Sequence, residues 1–297
     1  MMSSTAEYSL SPWPAVRNLT ATGLDFQPRH TYYSWTAVNV TETMRAISHC
    51  QRACRITVSL HAYLIRCIAL AAAEHPETIT YRHRNSLIQF KSVDIGTALN
   101  KKQPDGSQMP MIYIVRNADQ KSLAQINWEF RRAVRADLSR DPDVIARRRF
   151  ARLPGFLRYL AMKRALNHPL GARKLYGNLQ FTSLYQSGFQ MPFVPFPPSL
   201  GTISTAAGSV SETFLPDDQG QPKLSKVIYL GDAMNHDVID GMPMVKFLQR
   251  RAELIEACTE LDDAFVAETL KLKATTAPQP LLRRAGSARL GSQLASD

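Results

Sequence analysis

Apolar and polar positions alternate along this chain in two periods, and the switches between them mark out its elements. From Tyr32 to Val40 the run YYSWTAVNV carries β-branched and aromatic residues in the manner of a strand. Thr41-Glu42-Thr43-Met44 then opens a helix that carries Cys50 and Cys54, and Ser59–Glu74 reads as a second, strongly apolar helix stopped near His75-Pro76. Strands are expected over Thr78–His83, Leu87–Phe90, from Val93 onward after a break, and Met109–Val115, with a turn at Pro104-Asp105-Gly106. Ser122–Arg135 is amphipathic, with Leu123, Ile126, Phe130 and Val134 at helical spacing. After Gly177 the strand signal returns over Asn178–Leu184, Thr202–Ala206 and Lys226–Met234, interrupted by a proline-rich connection from Pro192 to Pro198. Met244–Phe265 reads as one long final helix with Val245, Leu248, Ala252 and Ile255 on one face. Alternation of this kind predicts a mixed α/β domain around one large sheet. We place it at residues 31–273, after an irregular lead-in over 1–30 and before a polar, flexible tail over 274–297.

One stretch breaks the pattern. In residues 137–177, Val144, Phe150, Leu153, Phe156, Leu157, Leu160 and Leu166 are interleaved with Arg147, Arg148, Arg149, Arg152, Arg158, Lys163 and Arg164. The expectation is an inserted set of one or two basic amphipathic helices, interrupted at Pro154-Gly155 and Pro169. Such an insert could be structural with a solvated basic face, a lid over an acyl chain, a helix on a membrane surface, or a docking face for an acidic partner.

Charge sharpens this picture. The net charge is +11, yet thirteen Lys/Arg face three Asp between Arg131 and Lys174, while the rest of the chain holds twenty-three basic against twenty-two acidic residues. Basicity confined to one segment, outside any known binding module, argues against a nucleic-acid partner. It suits the phosphates of a donor or an acidic carrier protein, and Arg147, Arg148 and Arg149 are the candidates for such binding. Hydrophobic content of 44% with 21% charged residues is globular. No secretory signal follows Met1, and the most apolar run, Ala62–Ala73, is too short to span a bilayer and contains Arg66. Cys50, Cys54, Cys67 and Cys258 form no CxxC pair or metal-ligand spacing, so reduced thiols, no metal and a cytoplasmic location are expected.

The candidate chemistry lies at the end of the last predicted strand, in His236-Asp237-Val238-Ile239-Asp240-Gly241. An HxxxDG pattern alone is of moderate specificity. Here Val93-Asp94-Ile95-Gly96-Thr97-Ala98-Leu99, the run from Ile114 to Leu123 (IVRNADQKSL) and Pro192–Pro198 precede it in order. Together these resemble the catalytic domain of the dihydrolipoyl acyltransferases, in the chloramphenicol-acetyltransferase-like superfamily, from about His30 to Glu256. The resemblance implies an α/β fold, a two-layer sandwich with a mixed sheet, and an active site between subunits of a homotrimer. It implies direct attack of an acceptor on a thioester, without an acyl-enzyme. His236 would be the general base, a role suited to a neutral imidazole. Asp240 would organise the loop, and Gly241 would allow a tight turn behind it. The family's oxyanion-donating hydroxyl falls on Thr182 in Gln180-Phe181-Thr182-Ser183-Leu184-Tyr185, a stretch followed by Ser187-Gly188; Ser183 is the alternative if the strand slips by one.

Two departures qualify the likeness. Asp237 stands where the family has an arginine, placing a negative charge beside the base. Residues 1–30 leave no room for lipoyl or subunit-binding domains, and a chain of this length holds one sandwich lobe, so a neighbouring subunit must supply the other wall. The expectation is therefore a stand-alone acyltransferase using a coenzyme A or carrier-protein thioester as co-substrate, with no bound cofactor and a thiol, hydroxyl or amine acceptor. A dihydrolipoyl acyltransferase served by a lipoyl domain on another chain, or a catalytically silent trimeric scaffold, are the alternatives.

Overall fold

The computed structural model describes residues 14–15, 17–28, 30–102, 108–136, 142–185, 189 and 191–276. Its main sheet uses Thr31–Asn39 (β1), Ile95–Lys102 (β4), Gln108–Val115 (β5), Leu179–Ser183 (β6), Ile203–Pro216 (β7) and Pro222–Asn235 (β8), in the order β1-β8-β7-β6-β4-β5. β6 lies parallel to both β4 and β7, and the remaining pairs are antiparallel. A small hairpin pairs Thr80–His83 (β2) with Ser86–Gln89 (β3). A helical layer packs on the sheet: Thr41–Cys54 (α2), Leu60–Glu74 (α3), Leu123–Arg135 (α4), Gly241–Glu256 (α8) and Asp263–Thr276 (α9). The core forms between the layers, where Leu179, Phe181, Ile203, Ile228, Leu230 and Met234 of the sheet meet the apolar side of α3 and α8. This is the expected mixed α/β architecture. Local signals start the helices where the sequence places them: Ser59 accepts from the Ala62 N–H, and Ser122 forms a reciprocal capping box with Gln125.

Several elements differ from expectation. The lead-in contains a helix, Arg17–Leu24 (α1), because the insert gives it something to pack on: Asn18 donates to the Ala151 carbonyl and Arg158 to the Thr22 hydroxyl. The insert holds three helices, Pro142–Ala151 (α5), Gly155–Leu166 (α6) and Pro169–Tyr176 (α7), not one or two; residues 137–141 lie outside the described region. The expected single final helix is two, because Cys258 and Glu260 adopt positive φ of 54° and 60°. That turn swings the Glu260 carboxylate onto the Leu123 N–H (2.7 Å) and the Arg66 guanidinium (2.6 and 2.9 Å). Helix α9 runs to Thr276, past the expected tail boundary at 274; residues 277–297 and the turn at 104–106 lie outside the described residues. The buried face of α8 is Phe247, Leu248, Arg251, Leu254 and Ile255, and Val245 is exposed.

Where the insert rejoins the sheet, backbone meets backbone. Gly177 has φ +78° and ψ −180°, and a Cβ there would lie 2.5 Å from the Asp94 carbonyl oxygen. Such a conformation is essentially glycine-only. Gly177→Ala should therefore lose about 1–3 kcal/mol of stability, seen as a lower urea midpoint at constant slope; an unchanged midpoint would mean the junction relaxes freely.

Candidate active site

β8 delivers His236 to the edge of the sheet. Its backbone N–H donates to the His30 carbonyl (2.8 Å), extending the β1–β8 ladder by one step. The side chain is 54% exposed and its ring centroid lies 4.9 Å from that of Tyr32. The loop behind it is held by Asn235: its carbonyl accepts from the Val238 and Ile239 N–H groups, and its side-chain oxygen accepts from the Asp237 N–H. Asp240 is 86% exposed, and one carboxylate oxygen sits 3.6 Å from His236 Nδ1. Gly241 does not make the expected tight turn. It is the first residue of α8, where ordinary helical φ suffices, and the space beyond its Cα is open.

Asp237 does not face the base as an uncompensated charge. Its carboxylate meets His30 Nδ1 at 2.7 Å and Arg82 Nη1 at 3.5 Å. The hydrogen bond to His30 holds its pKa below the ordinary aspartate value, with Arg82 adding to the effect. An open cleft of about 550 Å³ adjoins this cluster, walled by Arg82, His83, Arg84, Asn235 and the α6–α7 corner at Leu166 and Asn167.

The two candidate hydroxyls on β6 point to opposite faces, as strand alternation requires. Ser183 shares the core face with Leu179 and Phe181, and its Oγ lies 2.7 Å from His61 Nδ1. The other His61 nitrogen meets the Thr97 hydroxyl at 2.7 Å, and the ring lies between Phe130 and Phe181, each 4.7 Å away. Burial lowers the His61 pKa to about 4, so this imidazole is neutral at pH 7. Thr182 sits on the opposite face beside Ala206 and is half-buried, whereas Ser187 and Gly188 lie outside the described residues.

The structure does not bring Thr182 and His236 together within one chain. Thr182 is level with Ala206 and, through it, with Gly231. His236 lies five residues beyond Gly231, roughly 16 Å along the strand direction alone.

Three structural features are not announced by any motif in the sequence. The Tyr32 hydroxyl is buried beside His236 without a hydrogen-bond partner among the described residues, and burial, then the Asp240 carboxylate, raise its pKa. The His61–Ser183 contact joins residues 122 positions apart. Asp94, quoted above only as part of a motif, binds Arg116 and Arg173 (2.8 Å each) and the Asn117 N–H (2.9 Å). Burial alone would raise its pKa, but these donors outweigh it and hold the carboxylate ionised. The basic triplet is in the second half of α5, Arg148 and Arg149 in its last turn, with Arg147 and Arg148 half-buried and Arg149 exposed. Among the described residues no group of three His, Cys, Asp or Glu could hold a metal, and no helix is long and apolar enough to cross a membrane.

Residues 15–140 match the family model for the 2-oxoacid dehydrogenases acyltransferase (catalytic domain). No curated protein matches the sequence. Among solved structures, the dihydrolipoamide acetyltransferase of Azotobacter vinelandii, studied for the roles of a serine, a histidine and an asparagine in its catalytic mechanism, is 18% identical at TM-score 0.63, covering 86% of this chain and 94% of its own. The cubic core of the pyruvate dehydrogenase multienzyme complex is 16% identical at TM-score 0.62, covering 86% and 95%. A truncated catalytic core of the 2-oxoacid dehydrogenase multienzyme complex from Thermoplasma acidophilum is 18% identical at TM-score 0.55, covering 85% and 100%. The family match and the shared fold support the superfamily drawn from the motifs and, with it, an acyltransferase. The matched span ends before β6, so for Thr182 and His236 the likeness is one of fold.

Proposed function

We propose that the chain is an acyltransferase that moves an acyl group from a coenzyme A or carrier-protein thioester to a thiol, hydroxyl or amine, in sites shared between subunits of a homotrimer. The observation carrying this reading is His236 itself: half-exposed at the end of β8, with Asp240 on its Nδ1 side and the charge of Asp237 taken up by His30 and Arg82. With Nδ1 towards Asp240, Nε2 is the nitrogen that takes the acceptor's proton as the acceptor attacks the thioester carbonyl. The resulting oxyanion accepts a hydrogen bond from Thr182 of a neighbouring subunit. Collapse breaks the carbon–sulfur bond, and the imidazolium returns the proton to the leaving thiolate. The basic last turn of α5 contributes attraction for the donor's negative charge.

The separation of Thr182 from His236 supports the shared site and sets its test. Thr182→Ala should lose on the order of 10²–10³ in turnover, as removal of an oxyanion donor does. Exchanging subunits between inactive Thr182→Ala and inactive His236→Ala proteins should restore about a quarter of the wild-type rate, because every mixed trimer holds one intact interface. Zero recovery after subunit exchange has been verified by mass would rule out the shared site.

A further inference from the structure

Helix α6 satisfies the fold with few of its side chains. Met162 is buried and accepts a hydrogen bond from the Tyr176 hydroxyl (3.7 Å, to sulfur). Arg158 ties the helix to Thr22 and to the Leu153 carbonyl, and Tyr159 stacks on Phe26 with ring centroids 5.1 Å apart. Those contacts leave Phe156, Leu157 and Leu160, at the i, i+1, i+4 spacing of one helical stripe, 71%, 38% and 61% exposed. An exposed apolar stripe of this kind marks an interaction surface. The chain on either side of it carries charge of one sign. Arg149 and Arg152 before the stripe, and Lys163 and Arg164 after it, are all exposed. From Ile145 to Gly177 the chain contains nine Lys/Arg and no Asp or Glu.

We propose that α6 is a docking element for an anionic lipid surface, with Phe156, Leu157 and Leu160 entering the headgroup boundary and the flanking cations held against the anionic headgroups. Neither contribution alone binds a bilayer stably, since firm association takes an apolar insertion and a basic patch together; α6 supplies both over three turns. A surface of a single charge sign is also what this segment fits best. This inference stands apart from the chemistry at His236, because none of its α6 residues belongs to that site; Arg149, in the last turn of α5, is the one cation shared with the proposed attraction for the donor.

The test is co-sedimentation of the full chain with sucrose-loaded vesicles of phosphatidylcholine, with and without phosphatidylserine. The wild-type protein should pellet with the phosphatidylserine vesicles and stay in solution with phosphatidylcholine alone. Binding should weaken steeply between 0.1 M and 1 M salt, as the Debye length falls from about 10 to 3 Å. The double variant Phe156→Ser/Leu160→Ser should bind at least ten-fold more weakly with an unchanged melting temperature, since neither side chain is buried. Lys163→Glu/Arg164→Glu should abolish the discrimination between the two vesicle types. Wild-type protein that ignores both vesicles, or variants that bind as well as wild type, would overturn the proposal. So would a double variant whose oligomer dissociates, because that would make the stripe a contact between subunits.

Discussion

His236→Ala should remove acyl transfer by a factor of about 10²–10⁴, the usual worth of a positioned general base, while leaving the melting temperature and subunit association unchanged. Both halves of that expectation follow from where the residue sits. Its backbone N–H, which alanine retains, makes the structural bond to His30. Its side chain is half in solvent, its ring is tilted against that of Tyr32 with centroids 4.9 Å apart, and the Asp240 carboxylate lies at 3.6 Å. Truncating a side chain in such a position ordinarily changes stability by no more than about 0.5 kcal/mol. The measurement is thioester turnover, followed by free thiol release with a panel of acyl-CoA donors, alongside thermal melting. Wild-type turnover in the variant would exclude the mechanism. A variant that melts several degrees lower would instead mark His236 as a structural histidine and favour the silent-scaffold alternative.

Much of this architecture is legible in the sequence because its signals are local. The continuous apolar run of α3, the Ser122–Gln125 capping box and the run of residues entering β8 each announce an element within a few positions, and the HxxxDG loop is read the same way. What the sequence conceals is contact-dependent. Helix α1 is only eight residues long and forms against α5 and α6, which follow more than a hundred residues later. The break between α8 and α9 comes from Glu260 reaching Arg66 and Leu123, partners that no window around residue 260 contains. The outer parts of β7 and β8 pair only with each other beyond β1's reach, and their polar positions mask the strand pattern. Asp237 is the instructive case at the site. Beside His236 in the sequence it reads as a threat to the base; in space it belongs to His30, 207 positions away, and to Arg82. Alternation along β6 likewise separates Thr182 from Ser183 only once the core side of the strand is known.

The second large effect is expected at a pair no motif points to. Asp232 of β8 and Arg251 of α8 are both fully buried and joined by two hydrogen bonds of 2.6 and 2.9 Å, with the Thr205 and Thr36 hydroxyls completing the cluster. A bidentate contact of this kind is the strong form of an ion pair, but its desolvation cost means its net worth differs greatly from the cost of breaking it. Asp232→Ala leaves the guanidinium buried without its counter-ion and should lose about 3–5 kcal/mol. Replacing both partners, as Asp232→Leu with Arg251→Met, removes the uncompensated charge and should recover most of that loss. The pair also bears on function through its position. Asp232 is four residues before His236, and Arg251 lies on the helix that begins just after Asp240, so the two charges fasten both ends of the loop carrying the base. The double replacement should consequently fold near wild-type stability yet turn over more slowly, its apolar substitutes filling the space without fixing the register of β8 against α8. Urea denaturation of the wild type and the two variants, with thioester turnover for the double, separates these effects. If Asp232→Ala and the double replacement lose the same stability, the cost is packing and not stranded charge.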